Sequence, residues 1–146
     1  MDNTGIVYKI PCANCDKCYI GEAGRKLSTR LSEHKHEVDA MSQRHFTRSQ
    51  DHASQHVMNK SAVTDHCVSN NHIIDWDNTQ ILDHDNNRET RWIRESLFIK
   101  QAGKLSMNRE IGQYQLPDIY NVVLKHPTGG ANSQRKPEVR RKKHQF

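Results

Sequence analysis

Cys12 and Cys15, with two residues between them, form a compact pair of thiolate donors, and His66 and His72 follow with a five-residue gap. Sulfur and imidazole at those spacings suit zinc, which takes four such ligands in a structural site. A centre of this kind would tie the start of the chain to residues 61–72 and would stabilise rather than catalyse. Cys67, next to His66, is a rival ligand on the same spacing. The alternative is that the thiols are core residues and the imidazoles lie on the surface.

A second group of residues has side chains suited to proton transfer and phosphate binding. Glu95 lies three residues after Trp92 and four before Ile99, so on a helix it points along the apolar stripe. A carboxylate there is costly unless it is paired or holds a cation, and an ion pair with Arg30 or Arg91 is the alternative. Arg30 and His34 are four apart and share one face of a helix. Tyr8 and Tyr19 lie in strand-like segments, where tyrosine is commonly a packing residue. Taken singly, none of these positions decides a function.

The elements that must position them can be read from alternation and turn residues. Gly5 to Ile10 predicts a strand ending at Pro11, and Lys17 to Gly21 its hairpin partner, with the cysteine pair in the connection. Gly24 to about Ala40 predicts a helix with Leu27, Leu31 and Val38 on one face. Met41 to Lys60 is polar and reads as a long surface loop. Ser61–Asn70 reads as a helix, Thr79–Leu82 as a short third strand and Arg88–Gln101 as a helix, with Asn108 after a short loop. Together these predict an α+β domain in which a small three-stranded antiparallel sheet is flanked by helices.

The 146 residues leave room for one domain with one core, and no internal repeat is visible. The formal charge of +5 is unevenly spread. Residues 127–146 carry Arg135, Lys136, Arg140, Arg141, Lys142 and Lys143 against the single acid Glu138, which leaves 16 basic and 16 acidic residues in the body. The expected organisation is a folded body over residues 1–126 and a disordered basic tail over 127–146. That tail reads either as a solubilising end or as a phosphate-binding arm or nuclear-import signal. Without an apolar run of membrane-spanning length or a secretory leader, the expectation is an intracellular protein with no membrane partner and with reduced or metal-bound thiols.

The ordered set Ile6-Val7-Tyr8, Tyr19-Ile20-Gly21, Arg30 with His34, Glu95 and Asn108 resembles the GIY-YIG nuclease family. From Gly5 to about Leu124 the chain is similar, more narrowly, to the endonuclease domain of Penelope-like retroelements. The likeness runs through Val7–Glu22 with its embedded Cys12 and Cys15, then Lys60–His66, Arg91–Glu95 and Met107–Glu110. The first triplet departs from the family's glycine, and Cys18 is an additional thiol without a role. The resemblance implies a DNA endonuclease that hydrolyses phosphodiesters, nicking a target from which a reverse transcriptase of the same element primes, in the nucleus.

The resemblance also implies roles. Glu95 would hold one Mg²⁺ or Mn²⁺, Tyr8 with His34 or Tyr19 would orient and deprotonate the attacking water, Arg30 would stabilise the phosphorane-like charge, and Asn108 would position the backbone or leaving side. Cys12, Cys15, His66 and His72 would hold a structural Zn²⁺. A catalytically silent, zinc-stabilised nucleic-acid-binding module is the competing expectation.

Overall fold

Apolar residues at alternate positions leave Ile6, Tyr8 and Ile10 on one face of the first strand and Val7 on the other, and all four are wholly buried. Burial on both faces makes this strand, β1 (Ile6–Pro11), the centre of a sheet. β2 (Cys18–Ala23) and β3 (Gln80–His84) pair with it on either side, both antiparallel, in the order β2-β1-β3. The computed structural model describes residues 3–47, 61–109, 114–120 and 122. The expected α+β architecture is the one observed, and the strands fall within two residues of their expected ends.

Helix α1 (Leu27–Thr47) and helix α2 (Ala62–Asn70) cover the face bearing Ile6, Tyr8, Ile10 and Ala23. Leu27, Leu31 and Val38 pack there, as their spacing requires, together with Val63, Cys67 and Ile74. Helix α3 (Arg88–Ala102) covers the other face, where Ile99 meets Val7, Cys18 and Ile20. Ser61 caps α2 by accepting the Val63 N–H, and Asn71 ends it in the left-handed region at φ 53°. Asn87 caps α3 in the same way, accepting the Thr90 N–H at 3.0 Å.

Two expectations about α1 need correction. It begins at Leu27 and not Gly24, and the Leu27 N–H, an orphan of the first turn, donates to Asn3 O at 3.0 Å. It also runs on to Thr47, through the first part of the stretch expected to be a loop. Met41-Ser42-Gln43-Arg44 contains no Gly or Pro to break a helix, and polar composition alone does not end one. Residues 48–60 lie outside the described residues, as does the basic tail with Arg135, Lys136, Arg140, Arg141, Lys142 and Lys143.

Candidate functional site

The loop between β1 and β2 is stitched to the segment after α2. Ala13 N–H donates to Ile73 O at 2.9 Å, Asp75 N–H to Pro11 O at 3.0 Å, and Ile73 N–H to Asn14 Oδ1 at 2.7 Å. Cys12 itself forms an isolated bridge with Ile74. These contacts bring Cys12 and Cys15 from the hairpin to His66 on α2 and His72 just beyond it. The four donor atoms all lie within 4.8 Å of one another.

Their separations follow coordination geometry. Cys12 Sγ is 3.4 Å from His66 Nε2 and 3.6 Å from His72 Nδ1, Cys15 Sγ is 3.5 Å from His66 Nε2, and the two nitrogens are 3.1 Å apart. A tetrahedron with metal–nitrogen and metal–sulfur bonds of about 2.0–2.3 Å requires ligand–ligand distances of about 3.3–3.8 Å, which the three sulfur–nitrogen separations meet and the nitrogen pair undercuts slightly. The group could therefore hold a metal ion such as zinc. Asn14 N–H points at Cys12 Sγ from 3.4 Å, a contact that favours a thiolate. His66 is held below the usual imidazole pKa by burial first, then by His72 and Lys17, which keeps it in the neutral, ligating form. Cys67 is instead a core residue beside Val63 and Ile74, with burial pushing its thiol up to about 11.

The second group converges on the α1-covered face of the sheet. Tyr8 pairs with Gly21 across the β1–β2 ladder and Tyr19 with Ile10, so the two phenols sit diagonally on one face with ring centroids 6.4 Å apart. A Cβ at position 21 would lie 2.7 Å from the Tyr8 hydroxyl and 2.9 Å from the Tyr19 ring, so a side chain there would displace one of the phenols. Beside Tyr8 the β1–β3 register shifts, with Val7 opposite Asp83 but Tyr8 opposite Ile81. Bulges of this kind re-aim side chains next to functional sites.

From α1, His34 brings Nε2 to 3.1 Å from the Tyr8 hydroxyl and stacks edge-on against Tyr19 at 5.3 Å. Burial first, then the charge of Arg30, lowers the His34 pKa to about 4, so the ring is neutral at pH 7. Burial raises both phenols above their ordinary range; Tyr19 adds to the shift at Tyr8, while Arg30 opposes it at both by charge and hydrogen bonding. Arg30 also binds Glu33 at 2.9 Å near the surface. The buried Glu95 on α3 lies close enough for its negative charge to disfavour ionisation of Tyr8 and Tyr19 alike.

Asn108 and Arg91 have structural duties. The Asn108 side chain accepts the Ile20 N–H at 3.0 Å and donates to Ile20 O at 2.7 Å, acting as an extra rung on the outer edge of β2 between Tyr19 and Gly21. Arg91, offered by helix geometry as a partner for Glu95, engages Glu22 at 2.9 Å and the carbonyls of Asp85 and Asn86 at 3.0 and 3.1 Å. Its Nη2 would lie 2.9 Å from a Cβ at Gly24, so that glycine makes room for it.

No family model, no curated protein and no solved structure matches the chain. The functional case therefore stands on these two groups of residues. The first was legible in Cys and His spacing. The second was legible only through resemblance, and Ser61, which lies 3.2 Å from His34 Nδ1, had no signal beyond its place before a helix.

Proposed function

We propose that the chain is a divalent-metal-dependent DNA endonuclease of the GIY-YIG kind, stabilised by a zinc ion at Cys12, Cys15, His66 and His72. The observation that carries the reading is the convergence of Tyr8, Tyr19, Arg30 and His34 on one face, within electrostatic reach of the buried Glu95. The Glu95 carboxylate and the two phenols beside it offer hard oxygen donors, which suit Mg²⁺ or Mn²⁺. Such an ion, when bound, supplies Lewis acidity and a more acidic bound water.

The chain's own residues then have complementary work. Glu95 would anchor the cation. Arg30, half-exposed beside the phenols, presents a planar donor fork to a phosphate, exchanging Glu33 for it. Tyr8 would take a proton from the attacking water as its own passes to His34 Nε2. Asn108 holds β2 so that Tyr19 and Gly21 keep their register. The basic residues 135–143 would add affinity for DNA backbone, and a nicked 3′ end could prime a reverse transcriptase in the nucleus.

A silent nucleic-acid-binding module is the second reading. It is favoured by the complete burial of Tyr8 and by the neutral state of both partners in the Tyr8–His34 pair. Conversion of supercoiled plasmid to open circle, with the zinc retained and Mg²⁺ or Mn²⁺ added or omitted, separates the two. Nicking that needs the added cation and disappears in Glu95→Gln is expected. DNA binding without nicking by either protein would establish the second reading.

A further inference from the structure

Ser61 is buried at the start of α2 and is fixed from several sides. Its Oγ accepts the Val63 N–H at 3.2 Å, its N–H donates to Glu37 Oε1 at 2.9 Å, and its carbonyl accepts from Arg109 Nη2 at 3.3 Å. Glu37 stands three residues beyond His34 on α1, so these contacts hold Ser61 against the part of α1 that carries His34. The Ser61 Oγ to His34 Nδ1 distance is 3.2 Å. Along α2, His66 belongs to the Cys/His group, and Arg109 forms an ion pair with Asp65. Helix α2 is thus anchored at its cap and first turn and again at its middle.

The proton positions follow from counting donors. Tyr8 is wholly buried, so its hydroxyl proton is kept from water. The buried Tyr8 O–H then needs an acceptor, and His34 Nε2 at 3.1 Å is in reach. A bare Nε2 on a neutral imidazole requires the proton on Nδ1, facing Ser61. A serine oxygen has two lone pairs, one of which is committed to the Val63 N–H.

We propose that the second lone pair of Ser61 Oγ accepts the Nδ1–H of His34, fixing the tautomer whose Nε2 faces Tyr8, so that Ser61 is a positioning residue for His34. The chain Ser61–His34–Tyr8 links the cap of the helix carrying a metal-ligand candidate to the phenol at the centre of the sheet. Its consequence for DNA cutting rests on the endonuclease reading; the tautomer itself does not.

The test is a long-range proton–nitrogen correlation spectrum of the ¹⁵N-labelled, zinc-loaded protein at neutral pH, with His34 assigned by its loss in His34→Gln. The expected result is a protonated Nδ1 and an unprotonated Nε2 in the wild type and in Ser61→Thr. In Ser61→Ala the ring should move toward the Nε2-protonated form. Ser61→Gly repeats that comparison with a residue that helix N-caps accept well, in case the alanine variant folds poorly. A protonated Nε2 in the wild type, or an unchanged tautomer in Ser61→Gly, would overturn the proposal. In the plasmid assay Ser61→Gly should nick about ten- to a hundredfold more slowly, with Ser61→Thr restoring the rate. A tautomer that shifts while the nicking rate holds would remove the positioning role. The expected tautomer in a wild type that never nicks would defeat the nuclease reading and leave the hydrogen-bond assignment standing.

Discussion

Gly21 stands directly across the β1–β2 ladder from Tyr8, and the space a side chain would need is filled by the phenol. A Cβ there would meet the Tyr8 hydroxyl at 2.7 Å, its Cζ at 2.8 Å and Tyr19 Cε1 at 2.9 Å. Tyr8 is wholly buried, so it has little room to yield. Gly21 thus sets the approach of the two phenols and, through Tyr8, the contact with His34.

Gly21→Ala is expected to fold and to lose about 1–3 kcal/mol, the usual cost of an extra methyl group in a packed site. Urea melts give the stability, and the His34 ring resonances report the displaced Tyr8. Stability and ring signals both matching the wild type would show that Tyr8 has more freedom than its packing indicates.

Much of the fold was legible because it depends on local pattern. Alternation placed β1, and a four-residue offset placed Arg30 beside His34. What escaped reading depends on distant partners or on composition without a breaker. Nothing near Arg91 in sequence points to Glu22, 69 positions away, and Ser61 reads as the first residue of a helix with no hint of His34. The bulge beside Tyr8 arises from how β3 meets β1, a register that short polar strands specify weakly. The Cys/His group was the most legible part of the site, since ligand spacing states its chemistry directly. Choosing His66 over Cys67 needed the helix phase, which turns the thiol into the core.

Removal of the metal should loosen the β1–β2 loop and α2 together. Purified protein is expected to carry one zinc per chain, and stripping it should cost more than about 3 kcal/mol of stability, restored on adding Zn²⁺ back. Cys12→Ser should lose the ion. Cys67→Ala should keep it while being destabilised by the cavity left among Val63 and Ile74. Metal analysis beside thermal melts checks each part, and loss of zinc from Cys67→Ala would reassign the fourth ligand.

The Arg91–Glu22 pair joins α3 to β2 with little exposure to water, the Arg91 side chain being 7% accessible and that of Glu22 21%. Arg91→Met strands the carboxylate and leaves the carbonyls of Asp85 and Asn86 without their donor, and should cost roughly 3 kcal/mol. Replacing both partners, Arg91→Met with Glu22→Gln, should recover part of that loss, because no unpaired charge remains. A double-mutant cycle in urea measures the coupling, and additive losses would show that the pair contributes through packing alone.

The acid side of the stability profile should carry the imprint of His34. Its folded pKa of about 4 lies below the ordinary histidine value near 6.5, so the unfolded chain takes up this proton first as pH falls. The contribution is complete above about pH 6.5 and is lost progressively between there and about pH 4, a span worth on the order of 3 kcal/mol. Protonation of His66 and the thiols will also release a bound metal in acid, so the wild-type curve alone would mix the two effects. His34→Gln separates them: it keeps the Cys/His group and removes only the buried imidazole. The difference between the two proteins in urea melts should therefore narrow from pH 7 to pH 4.5, and a difference constant over that range would mean that His34 titrates alike in the folded and unfolded chains.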